Sequence, residues 1–298
     1  MSTDTQNALK TARQHFIAAD NSQPYIRFGI AHVETLLRNA AQDKGWWKLQ
    51  INKSNERRDI VLLALGILYM QNEDEDMAFV TWSMAGDRIA NFFALQGDRW
   101  LSSDPLRATR FYDLAEQLSP EKVELLLRSS LAALYLNQRD VAEGKIGKIL
   151  KKITVQEFIQ QARYLYAIVD KGFIWTILTA AEIYQKEDKF SSAKKVLLAA
   201  NEIHPGPVSL SPLGEFYCKY GEYERGIETL QKAKLYSDQF YALRSRQTLS
   251  LCYCRLGMSE EAFREAEELA QMVSAESIFR SWPSTLAQNW EQLCSENE

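Results

Sequence analysis

Apolar positions along this chain recur at steps of three and four, and no segment alternates apolar with polar residues for long enough to form a strand. Phe158, Ala162, Leu165, Tyr166 and Val169 trace one helical face over Thr154 to Val169. Leu286, Trp290 and Leu293 fall at i, i+4 and i+7, with Gln288, Asn289, Glu291 and Gln292 opposite them. That spacing predicts a closing helix with Ser284 as its N-cap, just after Pro283. The prolines Pro24, Pro105, Pro120, Pro205, Pro207, Pro212 and Pro283 stand where helices are expected to start or stop. Ser211 followed by Pro212 reads as an N-cap and a first helical residue. The chain is expected to be all-α.

A longer unit repeats within the helical pattern. Its clearest copy is Leu213, Gly214, Tyr217, Gly221, Gly226, Leu230 and Ala233: a Tyr near the end of one helix, then a small residue nine positions on. Leu65, Gly66, Tyr69, Ala78, Trp82 and Ala85 match it closely. Leu95, Ala108, Tyr112, Ala115 and Pro120 keep the second half, with Arg99 in place of the Tyr. Leu131, Ala132, Tyr135, Ala142, Ile146 and Ile149 fit if the turn loses two residues. Ala180, Ala181, Tyr184, Ala193, Leu197, Ala200 and Pro205 form the next copy. Leu249, Ser250, Tyr253, Gly257, Ala262, Ala266 and Leu269 form the last. Antiparallel helices approach closely only where small residues lie at the crossing and large ones fill the space beside it. The small residues Ala78, Ala108, Ala142, Ala193, Gly226 and Ala262 are 30, 34, 51, 33 and 36 positions apart. The step of 51 leaves room for one extra helix, for which residues 153–172 are the candidate. An unpaired helix breaks the up-down alternation, so a register break and a change of direction are expected near 151–172.

This frame resembles the tetratricopeptide repeat, whose period is about 34 residues. The resemblance covers roughly residues 59 to 273 and implies an α-solenoid of antiparallel helix pairs, a TPR-like superhelix. In that family the first helix of each pair lines a concave groove. Transferred to this sequence, the groove rows are Ile60, Leu63, Ile67 and Met70; Trp175, Leu178, Glu182 and Gln185; Val208, Ser211, Glu215 and Cys218; and Arg244, Gln247, Leu251 and Cys254. The groove would be apolar at its N-terminal end and mixed polar toward its C-terminal end, where Arg244, Arg246 and Gln247 share a helix with Arg255. Glu182 and Glu215 would either pair with such cations or meet a ligand. The clamp by which some relatives hold C-terminal carboxylates is missing, since Leu63 and Ile67, then Phe93 or Ala94, stand at its places. A DNA-binding helix-turn-helix before the repeats also finds no support in residues 1 to 55.

Composition changes this picture little. Hydrophobic residues at 46% of 298 are ample for a core, and Gly at 13 and Pro at 7 are low, as a helical chain requires. A net charge of −4 argues against broad nucleic-acid binding, and Lys148, Lys151 and Lys152 fall where a helix C-terminus would attract them. Trp46 and Trp47 are read as packing an N-terminal helix on the first repeat. No apolar run is long enough for a transmembrane helix, and Met1 to Asn21 lacks the apolar centre of a signal peptide. The expected compartment is the cytoplasm, with Cys218, Cys252, Cys254 and Cys294 as buried thiols rather than disulfides or metal ligands. His15, His32 and His204 join no catalytic motif, and the acidic pairs Glu260–Glu261 and Glu267–Glu268 fall on faces expected to be solvated.

The expected organisation is N-terminal helices over 1–58, three repeats over 59–152, an extra helix over 153–172, three repeats over 173–273 and a capping helix over 274–298. The expected function is a non-enzymatic scaffold or adaptor that holds a peptide or helix of a protein partner in its groove, with no cofactor, metal, nucleic acid or membrane insertion. Trp175, Leu178, Glu182, Ser211, Glu215, Arg244, Gln247 and Leu251 are the candidate contacts. Two alternatives stay open: an assembly or regulatory subunit that meets partners through its convex face or ends, and an enzyme with an unrecognised site.

Overall fold

The structure, a computed structural model, describes residues 62, 63, 66, 67, 70, 75–236, 239–273 and 277–294. The helices expected over 1–58, with His15, His32 and the Trp46–Trp47 pair, lie outside them, as does Ile60. Every element among the described residues is helical, and the helices follow one another in an all-α repeat fold. The chain divides into two compact units, Met1–Ala132 and Ala133–Glu298.

The first unit contains α1 (Glu75–Ser83), α2 (Asp87–Trp100), α3 (Pro105–Leu118) and most of α4 (Val123–Tyr135). Asp104 starts α3 by accepting the Arg107 N–H at 3.0 Å, and Pro105 follows at the first turn, where its missing N–H costs nothing. Trp82 anchors the core: it is 2% exposed, its indole N–H donates to the Leu63 carbonyl at 3.2 Å, and Phe79 and Phe93 meet it edge-on. Leu63, Ile67 and Met70 pack into this core, so the apolar row assigned to the first groove position is largely structural filling. Ala78 and Ala108 have no exposed surface, as the crossing argument requires. One charged group is buried here. Arg128, 3% exposed, donates to Asp98 at 2.9 Å and also to Glu124, while the Tyr112 hydroxyl donates to the same Asp98 oxygen.

The second unit runs through α5 (Arg139–Lys152), α6 (Val155–Ile168), α7 (Phe173–Lys186), α8 (Phe190–Ile203), α9 (Pro207–Lys219), α10 (Tyr223–Lys234), α11 (Gln239–Arg255) and α12 (Ser259–Gln271). A 3-10 turn (Ile278–Ser281), α13 (Trp282–Gln288) and α14 (Trp290–Cys294) end it. Helix α6 is unpaired in the frame and carries its own start signal. Thr154 accepts from Glu157 N–H at 3.2 Å, and the Glu157 carboxylate accepts from Thr154 N–H at 2.8 Å, a capping box. Helix α6 then packs on α5, α7 and α8.

Four of the turns between helices pass through one left-handed residue placed five positions before a small residue of the repeat: Asn137, Asp188, Gly221 and Gly257, with φ of 58°, 56°, 78° and 74°. The next residue's N–H closes a bond back to Ala133, Tyr184, Tyr217 or Tyr253 at 2.8–2.9 Å. This corrects the frame of the third repeat. No residues are lost from its turn: Ala133 stands where the other copies carry Tyr, and Tyr135 lies two positions beyond, its hydroxyl donating to Asp170 at 2.7 Å. Helix α9 also starts earlier than Ser211–Pro212 suggests. Its first residue is Pro207, Pro212 lies inside it, and Ser211 is fully buried rather than a cap.

The C-terminal segment packs as expected but not as one helix. Leu286 is fully buried, Trp290 stacks on Phe263 at 5.3 Å, and the Trp282 indole donates to Ser250 at 2.7 Å. Asn289 breaks the segment in two, and its side-chain amide donates to the Thr285 carbonyl at 2.9 Å. The helix begins at Trp282, so Ser284 is internal. The cysteines depart furthest from expectation. Cys218 and Cys252 form a disulfide between α9 and α11, with Cα atoms 5.7 Å apart. Cys254 and Cys294 form another between α11 and α14, with Cα atoms 5.1 Å apart. Their sequence spacing is that of the repeat or close to it, so neighbouring helices bring the thiols together.

Candidate partner-binding site

Helices α9 and α11 are the first helices of the last two pairs and lie side by side. Glu215, Cys218 and Lys219 share one face of α9, at i, i+3 and i+4. Arg244, Gln247, Thr248, Leu251 and Arg255 share one face of α11 by the same rule. These residues line a pocket of about 370 Å³, with Cys252 at its floor beside Cys218. Four of the eight sequence candidates therefore come together here: Glu215, Arg244, Gln247 and Leu251.

Arg244 and Glu215 do not face the pocket as separate charges. The guanidinium donates through two nitrogens to the two carboxylate oxygens, Nη2 to Oε2 at 2.6 Å and Nε to Oε1. Partial burial works against the Arg244 cation, but the Glu215 carboxylate outweighs it and holds the pKa above the ordinary arginine value. Ser211 sits behind this pair, its hydroxyl 3.3 Å from Glu215 and 3.3 Å from the hydroxyl of the buried Ser245. It orients the pair from within the core. Arg246 turns away from Arg244, as residues two apart on a helix must. It donates to Glu265 at 2.7 Å and to Glu268, against the expectation that Glu268 is merely solvated. Glu265 is 2% exposed and also accepts from Lys234.

Trp175, Leu178 and Glu182 lie on α7 and do not join the pocket. Trp175 is 43% exposed and Leu178 is 7% exposed. Glu182 accepts from Arg139 of α5, and Glu143 of α5 accepts from Arg139 at 2.9 Å and Lys186 at 2.7 Å. The hydrogen bonds from Lys186 and Arg139 hold the Glu143 carboxyl below the usual range. The carboxylate of this row is thus engaged by a cation of α5. Lys219 and Thr248 are pocket residues that the sequence frame missed. Each lies four positions beyond a residue it did identify, Glu215 and Arg244, and that spacing was the available signal.

No protein-family model matches the chain, and no curated protein is found similar to it. Solved structures similar to it include MamA from Desulfovibrio magneticus RS-1, 18% identical, which covers 62% of this chain and 95% of that one at a TM-score of 0.41. TTC0263, a thermophilic TPR protein of Thermus thermophilus, is 14% identical over 67% of this chain and 99% of that one, at 0.37. Yeast Tom70 is 14% identical over 92% of this chain and 65% of that one, at 0.38. Likenesses of this order concern the helical-repeat fold alone.

Proposed function

We propose that the chain is a non-enzymatic protein-interaction scaffold, and that the faces of its first helices hold a peptide segment or helix of a partner protein. The observation that carries this reading is the pocket between α9 and α11. It joins an apolar wall, Leu251 and the Cys218–Cys252 disulfide, to polar groups on two parallel helical rows. An extended or helical peptide is recognised by such an arrangement, with side chains against the wall and backbone amides to the polar rows. Among the described residues no group of three or more His, Cys, Asp or Glu could hold a metal ion.

Selection of binders from a displayed library of short random peptides, followed by hydrogen exchange of the full chain with a selected peptide bound, tests the reading. Protection concentrated on α9 and α11 is the expected result. Protection confined to α10, α12 or the chain's ends would replace it with contact through the convex face or the termini.

A further inference from the structure

The charges around the pocket do not balance. Lys219, Arg244 and Arg255 line it against one carboxylate, Glu215. Glu215 is fully engaged by Arg244. Among the described residues no carboxylate lies within ion-pair distance of Lys219 or Arg255. Arg255 reaches only the carbonyl oxygens of Leu293 and Cys218, each at 3.5 Å, and Lys219 lies over the ring of its neighbour Tyr220, 5.4 Å from the ring centre. Both stand in the last turns of their helices, where the dipole favours a cation. The dipole accounts for their being tolerated there, but half a charge at each helix end does not neutralise them. The side-chain amide of Gln247 also faces the pocket without a protein partner among the described residues. A cationic pocket with two unpaired charges thus sits in a chain whose net charge is −4.

We infer that this pocket selects acidic segments: the peptide it holds carries at least two neighbouring carboxylates, met by Lys219 and Arg255, while Gln247 takes a backbone amide. This rests on the peptide-binding reading above and names the chemistry of its ligand. Complementary charge contributes to encounter rate and to rejection of basic partners more than to raw affinity, so the preference is strongest at low salt.

The test uses the full chain and the displayed library of short random peptides at low salt. Binders enriched in Asp and Glu over the starting library are expected. A synthetic selected peptide should bind the Lys219→Glu, Arg255→Gln double variant at least about tenfold more weakly by fluorescence anisotropy, since losing two complementary charges removes that much. Lys151→Glu at the end of α5 should leave its binding unchanged. Lys219 is exposed, so Lys219→Glu alone keeps the test valid if Arg255→Gln disturbs the fold, which circular dichroism reports. Binders without acidic enrichment would overturn the inference and leave the peptide-binding reading standing. Acidic binders indifferent to both pocket variants would overturn it too, since the selecting charge would lie elsewhere. No binders at all would remove the peptide-binding reading itself, and this inference with it.

Discussion

Alanine in place of Gly214 should weaken the fold, whereas alanine in place of Gly144 should strengthen it. Both glycines are helical, so each replacement gains about 0.5–1 kcal/mol of helix propensity. The surroundings differ. A Cβ on Gly214 would lie 2.5 Å from Cγ of Leu230, 2.8 Å from its Cδ2 and 3.3 Å from its backbone nitrogen, well inside ordinary carbon contact. Leu230 is fully buried and cannot swing into solvent. Overpacking of this kind costs about 1–3 kcal/mol, so a net loss of about 1–2 kcal/mol remains after the propensity gain. A Cβ on Gly144 meets nothing within 4 Å, and the gain there is undiminished. Two variants with the same chemistry should thus differ by about 2 kcal/mol, or about 3 °C in thermal midpoint for a chain of 298 residues. Urea and thermal unfolding followed by circular dichroism measure it. A Gly214→Ala midpoint equal to or above that of Gly144→Ala would refute the argument that α9 and α10 cross at this glycine. Shrinking the obstacle is a second check: Leu230→Val should cost less in the Gly214→Ala background than in the native one.

Glu265→Ala should cost about 3–5 kcal/mol in urea unfolding, because it strands Lys234 and leaves Arg246 only the exposed carboxylate of Glu268, while Glu228→Ala, in an exposed pair with Lys232, should stay within about 0.5 kcal/mol. Glu143 and Glu222 titrate below their ordinary 4.5 in the folded chain, held down by hydrogen bonds from Lys186 and Arg139 and from Lys194 respectively. A lowered folded-state pKa gives stability that is present above 4.5 and lost as pH falls through the folded value, so thermal midpoints should drop in acid, and Glu143→Gln should flatten that drop. Tyr135 behaves in the opposite sense: burial and its bond to Asp170 push it up to about 12, so its contribution persists below pH 10 and fades as pH rises toward 12, a fade that Tyr135→Phe should abolish. The Cys254–Cys294 disulfide closes a sequence separation of 40, worth about 4 kcal/mol in the chain-entropy account, and Cys254→Ser should lower the midpoint accordingly. Full alkylation of native protein without reductant, read by mass, would show that the thiols are free and sink that expectation.

What could be read from the sequence and what could not divide along one physical line. A helix crossing recurs with the repeat, so the small residues that permit it recur too, and Ala78, Ala108, Ala142, Ala193 and Ala262 stand out by spacing and prove fully buried. The extra helix was legible for the same reason, because a step of 51 cannot be one pair. The third repeat misled because Tyr135 offered the expected side chain two positions late, while the recurring element of the turn is a backbone bond to Ala133, which any residue can accept. The disulfides were hidden because the four cysteines are spread over three separate helical patterns. Each pairs with a residue 34 or 40 positions away, a distance that becomes contact only once the pairs stack.

Charge shows the limit most clearly, because two residues apart on a helix is more than half a turn. Arg244 and Arg246 look equivalent in the sequence, yet one faces α9 and Glu215 while the other faces α12 and the buried Glu265. Only the rotation of α11 within the stack decides between pocket and core. That rotation also sets the terms on which a ligand enters. A single incoming carboxylate gains nothing by displacing Glu215 from Arg244, since it would exchange one bidentate pair for another and leave Glu215 half-buried without a partner. Lys219 and Arg255 give up no protein carboxylate when they bind, and they line the same pocket. A ligand with two carboxylates can therefore use the unpaired cations and leave the Arg244–Glu215 pair intact as a fixed wall. The pair then shapes the site, and the two free charges choose what fills it.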